Sequence, residues 1–145
     1  MNTGKAKLKL VASISVLMLL LTCLPAQAQQ KPGQLVQASA ESWLALVDSG
    51  NYSESWQEAA QSFKTVVSEE QWVKMAQAVR EPLGNLLSRK MKSATSATTL
   101  PGAPDGQYVV IRYDSSFEHK QTAVETVTTM LDKGGKWRVS GYYIK

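Results

Sequence analysis

Residues 38–63, ASAESWLALVDSGNYSESWQEAAQSF, decide how this chain folds. Val36, Ala40, Trp43, Leu44 and Val47 recur every three or four positions, which puts them on one face of a helix. Glu41, Ser42 and Asp48 fall off that face. The spacing predicts a first helix from Gln34 to Ser49. Gly50 ends it, because glycine enters the left-handed cap conformation without a steric penalty. Asn51 then reads as the N-cap of a second helix, with Glu54 three residues on in the manner of a capping box. Tyr52, Trp56, Ala59, Ala60 and Phe63 continue at helical spacing, so the second helix is expected to run through Phe63. Burying an aromatic side chain of this size contributes about 2–3 kcal/mol. These aromatics are therefore expected in a core, the alternative being that Trp43, Tyr52 or Trp56 lines a ligand pocket.

Upstream of this stretch the chain reads as an address. Lys5, Lys7 and Lys9 form a basic start, Leu10 to Leu21 is apolar, and Ala26-Gln27-Ala28 is a small-x-small cleavage site. The pattern predicts a secretory signal peptide over residues 1–28, too short for a membrane span. Residues 29–33 then form a polar leader, and 34–145 a single domain. Removing the three lysines takes the 16 basic residues to 13, against 12 acidic ones. The net charge of +4 is therefore mostly targeting signal, and no nucleic-acid partner is expected. Cys23 is the single cysteine. It lies inside the expected leader, so the mature chain would have no disulfide and no cysteine metal site. The expected location is the periplasm, with a lipid anchor through Cys23 as the alternative.

Downstream, Ser68 and Gln71 form a capping box, and Val67 with Trp72 a hydrophobic staple. Glu69 and Glu70 favour the positive end of the helix dipole. Trp72, Met75, Ala76 and Val79 are the expected buried stripe of this third helix, and Pro82 stops it near Glu81. From Leu86 the period changes. Residues 86–97, 107–117, 122–131 and 136–144 read as strands, dense in β-branched and aromatic residues from Gln107 onward. Leu100–Gly106, LPGAPDG, is a turn-dense connector. Glu118-His119-Lys120 reads as a charged turn, and Asp132-Lys133-Gly134-Gly135 as a hairpin turn. Gly141 within the last strand suggests a bulge.

Three helices followed by four strands with short connections predict an α+β fold: an N-terminal helical layer on a curved, four-stranded antiparallel sheet. That arrangement is similar to the cystatin-like class and to the nuclear transport factor 2-like cone. A closer resemblance rests on Ser55-Trp56 with Ala59-Ala60 and Phe63, then Trp72, Arg80-x-Pro82-Leu83-Gly84 and Ser88-Arg89. It continues through Leu100 to Gly106 with Tyr108-Val109, through Glu125-Thr126-Val127-Thr128, and through Trp137-Arg138-Val139-x-Gly141-Tyr142-Tyr143. In these residues the chain resembles a family of small exported bacterial proteins, domain of unknown function 4019. The resemblance implies an exported, periplasmic protein and supplies no catalytic residues to carry over.

Little in the chain points to a reaction. His119 is the only histidine, and zinc sites need several nitrogen or sulfur ligands. No serine sits in a nucleophile elbow, and the glycines form no phosphate-binding loop. Glu125 stands out because a mid-strand carboxylate is costly to bury unless paired. Arg112 on the preceding strand is its expected partner, beside Tyr108, Tyr113 or Tyr142. Arg89, Arg112 and Arg138 could meet on the sheet and hold an anion through bidentate bonds. Arg89, Arg112, Glu125, Tyr108 and Tyr142 are thus the candidate ligand-binding residues, against the plainer reading of solvated cross-strand pairs. No catalytic residue, metal or cofactor is assigned.

The expected role is a non-enzymatic module that binds a small molecule or another envelope protein, or pairs with itself through the outer sheet face. One alternative is an isomerase- or hydratase-like enzyme with Glu125 or Asp114 and a tyrosine in an apolar pocket. Another is an inhibitory component that uses the Leu100–Gly106 connector as a wedge.

Overall fold

The computed structural model describes residues 31–145. The expected signal peptide and Cys23 lie outside the described residues. Helix α1 spans Pro32–Asp48, α2 Tyr52–Glu58, α3 Gln61–Val66 and α4 Glu69–Arg80. A short 3-10 turn over Glu81–Leu83 leads into strands β1 (Leu86–Ala97), β2 (Tyr108–Phe117), β3 (Lys120–Leu131) and β4 (Trp137–Ile144). Each strand pairs antiparallel with the next, in the order β1-β2-β3-β4. The fold is α+β, as expected, with four helices among the described residues in place of three.

The extra helix comes from a break at Ala59-Ala60. Both residues are extended, with ψ of 162° and 150°. The Ala60 amide leaves the helical ladder and donates to Val139 O on β4 at 2.8 Å. Docking on the sheet edge thus replaces a helical hydrogen bond, so the periodicity of residues 52–63 spans two helices. α1 starts two residues earlier than its stripe predicts, because Pro32 fits the first helical turn. Its end follows the glycine expectation in full. Gly50 has φ +77° and donates to Val47 O, while Asn51 N donates to Leu46 O at 2.8 Å. This is a Schellman motif. It also overturns the capping role given to Asn51. With ψ 56° set by that motif, the Asn51 side chain makes no cap bond, and only its carbonyl engages α2.

The core lies between α1 and the inner face of the sheet. Val36, Ala40, Trp43, Leu44 and Val47 meet Ile111, Tyr113, Val127 and Val139. Trp43, Phe63, Trp72 and Tyr142 stack in one aromatic group, with ring centroids 5.3–6.3 Å apart. Ser55 is fully buried at its centre. Its Oγ accepts from Trp72 Nε1 at 2.9 Å and its carbonyl from Trp43 Nε1 at 2.7 Å. A small hydroxyl residue thereby lets two indoles bury their N–H groups without loss.

The capping box of α4 forms in both directions: Gln71 N donates to Ser68 Oγ at 3.2 Å, and Ser68 N to Gln71 Oε1 at 3.0 Å. The buried stripe of α4 is narrower than expected. Trp72, Ala76 and Arg80 are buried, whereas Met75 and Val79 are exposed. A helix that touches its neighbours along one ridge of fourth residues leaves the third-residue side in water. Gly141 does lie beside a bulge, since Thr128 faces Gly141 and Thr129 faces Val139, with Ser140 as the extra residue.

Candidate functional site

Two places on the molecule concentrate chemistry. The first is a closed ring of charge between the helices and the sheet. Glu125 alternates with Ala123 and Val127 on β3, so strand geometry drives it to the inner face, where it is 0% exposed. Its Oε2 accepts from Arg89 Nε at 2.6 Å and from Ser115 Oγ at 2.5 Å. Its Oε1 accepts from Tyr142 OH at 2.7 Å, Arg89 Nη2 at 3.0 Å and Arg80 Nη1 at 3.2 Å. Asp48, the last residue of α1, closes the ring. Its Oδ2 accepts from Arg89 Nη1 at 2.6 Å, and its Oδ1 from Arg80 Nη2 at 2.7 Å and Arg89 Nη2 at 2.9 Å.

Arg89 therefore grips one carboxylate with each side of its planar fork, a geometry that lysine cannot reproduce. Arg80 lies over the Phe117 ring, 4.6 Å from its centroid. Two guanidiniums face two carboxylates, so the ring is neutral as a whole. Burial disfavours the charge on Arg80 and on Arg89. The bonds and charges of Asp48 and Glu125 outweigh that on Arg89; on Arg80 they do so together with Tyr142, and both groups are held above their ordinary pKa. Burial, then the Glu125 carboxylate, pushes the Tyr142 phenol well above its usual range. Burial also pushes Tyr113 up to about 12. Among the described residues the Tyr113 hydroxyl has no hydrogen-bond partner.

Of the five candidate binding residues, the structure brings together Arg89, Glu125 and Tyr142. Arg112 is not the partner of Glu125. It pairs with Thr126 in the ladder and is exposed on the opposite face, because neighbouring residues of a strand point to opposite sides. Tyr108 lies at the far end of β2, buried under the connector, with its hydroxyl donating to Pro104 O at 2.5 Å. Arg138 binds Glu58 at 3.1 Å and lies 3.8 Å from Asp132, away from Arg89. Asp114 faces solvent and pairs with Lys92 at 3.1 Å. Arg80, Asp48 and Ser115 are ring members that the sequence reading passed over. For Arg80 and Ser115 the signal was a polar residue continuing an apolar stripe, Arg80 after Trp72 and Ala76 and Ser115 between Tyr113 and Phe117; Asp48, off the α1 stripe by its period, only borders it one turn after Leu44.

The second place is a groove of about 710 Å³ on the other side of the sheet. Its floor is Thr128, Met130, Ser140 and Gly141. Its walls are α3, at Ser62 and Val66, and the Leu100–Gly106 connector. The connector is folded back rather than projecting: Gly106 N donates to Thr98 O at 3.0 Å and Ala103 N to Leu100 O at 3.1 Å. A Cβ built on Gly141 would sit 3.6 Å from Thr128 Cβ, an ordinary contact. Glycine there leaves floor space that a longer side chain would fill. The size is that of a small-molecule site, and the lining is mostly apolar with a few hydroxyls and the charged side chains Asp105, Asp132 and Lys133 among its residues.

Among the described residues no group of three or more His, Cys, Asp and Glu side chains is placed to hold a metal ion. No helix among them is long and apolar enough to cross a membrane.

These features define a class: a small α+β protein with an internally neutralised charge ring on one face of its sheet and an open groove on the other. The chain belongs to the family described as protein of unknown function (DUF4019), whose match covers residues 39–142. That span holds all four charged members of the ring and the groove. A search of curated protein sequences returns no match.

Proposed function

We propose that this chain is an exported periplasmic binding module that takes a small, mostly apolar ligand into the outer-face groove. The groove carries the reading. It is open, of ligand size, floored by a glycine and walled by a connector that its own hydrogen bonds hold in place. Its hydroxyls, from Ser62, Thr65, Thr128 and Ser140, suit a ligand with one or two polar groups. The signal-like leader, which lies outside the described residues, supports export.

The enzymatic alternative has one observation in its favour, the 2.7 Å contact between Glu125 and Tyr142. An acid–base carboxylate must reach a substrate proton. Both oxygens of Glu125 are already taken, by five bonds from two arginines, a serine and a tyrosine. The surroundings are a pair of guanidiniums rather than an apolar pocket. The ring is thus better understood as a clasp than as a reaction centre.

Titration with 8-anilinonaphthalene-1-sulfonate tests the groove. Saturable fluorescence enhancement is expected for the native chain and its loss for Gly141→Leu, with both proteins giving the same circular dichroism. Equal enhancement in the two sinks the groove as the site. Amino-terminal sequencing of protein from the periplasmic fraction should begin at Gln29. Retention in the cytoplasm counts against export, and a lipid-modified Cys23 as first residue would replace the soluble reading with an anchored one.

A further inference from the structure

The two edges of the sheet are treated differently. On the first half of β4 two outward carbonyls are occupied: Trp137 O accepts from Ser39 Oγ at 2.6 Å, and Val139 O from the Ala60 amide at 2.8 Å. On β1 nothing comparable occurs among the described residues. Its 12 residues pair with β2 alone, and no loop or side chain bonds to the backbone groups on its other side. Such an edge is a template for another strand.

The first half of β1 carries the usual protections. Irregularities fall at Leu87 and Lys92, and Lys90 and Lys92 add charge. The second half carries none. Ser93-Ala94-Thr95-Ser96-Ala97 is uncharged, small and free of proline and glycine; its first four residues are exposed, and its ladder to β2 is regular.

We infer that this half-strand is a self-association edge, on which β1 of a second copy adds antiparallel to make a continuous eight-stranded sheet. Charge placement selects a second copy as the occupant. A two-fold axis at Thr95 sets Ala94 against Ser96, Ser93 against Ala97 and Lys92 against Thr98. No lysine then faces a lysine, and small side chains meet small side chains, so two backbones approach without a clash. A two-fold contact presents the same patch from both partners, which this segment satisfies with itself. The mode is strand addition, in which main-chain bonds supply the affinity. It differs from pairing through the outer face and leaves the groove open.

The test uses the whole chain carrying Cys23→Ser, so that any introduced cysteine is the only one. Sedimentation equilibrium is expected to show a concentration-dependent dimer. Thr95→Cys should cross-link to itself under mild oxidation, and Tyr143→Cys, on the outer face, should not. Thr95→Lys places two like charges across the axis and should give a monomer with an unchanged circular dichroism spectrum. A chain that remains monomeric at its solubility limit overturns the inference. So does a dimer that survives Thr95→Lys, or one that cross-links through Tyr143→Cys in place of Thr95→Cys.

Discussion

Tyr113 shows how much one atom decides. The residue is 2% exposed, and its buried hydroxyl has no partner among the described residues. An unsatisfied buried hydroxyl costs about 1–3 kcal/mol, so Tyr113→Phe is expected to raise the unfolding free energy by about 1 kcal/mol or more, read as a higher urea midpoint. The same side chain sets an alkaline limit. The phenol is held up to about 12 in the folded state, against 10.0 for a free tyrosine. Between those values the unfolded chain has lost this proton and the folded chain keeps it, so folding stability falls as pH rises. The slope is about 1.4 kcal/mol per pH unit for one such group. Tyr142, raised further by burial and the Glu125 charge, extends the loss to higher pH. Unfolding measured from pH 9 upward should show this decline, reduced in Tyr113→Phe. An unchanged slope in that variant would mean that Tyr113 is not the group responsible.

Glu125 belongs to the same scale with the opposite sign. Glu125→Gln keeps the shape and removes the charge, leaving two buried guanidiniums against one carboxylate. The expected loss is about 3–5 kcal/mol. Arg89→Lys keeps the charge and removes the fork. One ammonium cannot serve both carboxylates side-on, and a loss of about 2 kcal/mol is expected from the missing charged hydrogen bonds. Chemical denaturation of the two variants separates charge from geometry. If Arg89→Lys matched the native protein, the double fork would be incidental.

At the scale of elements, the helices hold by narrow contacts. The buried ridge of α4 is Trp72, Ala76 and Arg80, and the flank with Met75 and Val79 faces water. Val79→Lys should therefore stay within about 0.5 kcal/mol of the native stability. Trp72→Ala should cost about 3–5 kcal/mol through the cavity it leaves among Trp43, Phe63 and Tyr142. Thermal melts of the pair give a contrast that the wider stripe expected from sequence would not produce. The link from α4 into the sheet turns on Gly84. Its φ is +71°, and a Cβ there would meet Glu118 Oε2 at 2.6 Å and Glu118 Cβ at 2.9 Å. Glu118 Oε2 accepts from Asn85 N at 2.7 Å, so it is not free to move aside without cost. Gly84→Ala should destabilise by more than about 1 kcal/mol. A neutral Gly84→Ala would show that this turn is not the constraint described.

For the molecule as a whole, the charge ring is the tie between layers. Asp48 comes from α1, Arg80 from α4, Arg89 from β1 and Glu125 from β3, with Ser115 of β2 and Tyr142 of β4 bonded to the last. Among the described residues, every strand and two of the four helices thus share one hydrogen-bonded network. Unfolding should be a single transition, with tryptophan fluorescence and far-ultraviolet dichroism changing together. Separate midpoints for the two signals would show that helices and sheet come apart independently. Because the ring is buried, added salt should screen it little, unlike the exposed Lys92–Asp114 pair.

The order of the elements, and all of them but the split of the second helix, are local properties of the chain. Hydrophobic period, capping residues and turn residues act within a few positions, so α1 with its Gly50 stop, the Ser68 box of α4 and the four strands were legible in it. So was the oddity of Glu125, because a carboxylate in an apolar alternation is visible locally. Tertiary structure alone decided who answers that carboxylate. Arg80 and Arg89 lie 45 and 36 positions away along the chain, and only the closing of helix on sheet brings them to it. The same closing broke the second helix at Ala59-Ala60, since a hydrogen bond to Val139 competes with one inside the helix. It also put Arg112 out of reach, because a strand's faces are opposed and register decides which one a residue joins. Local periodicity specifies a surface, and long-range packing chooses what that surface meets.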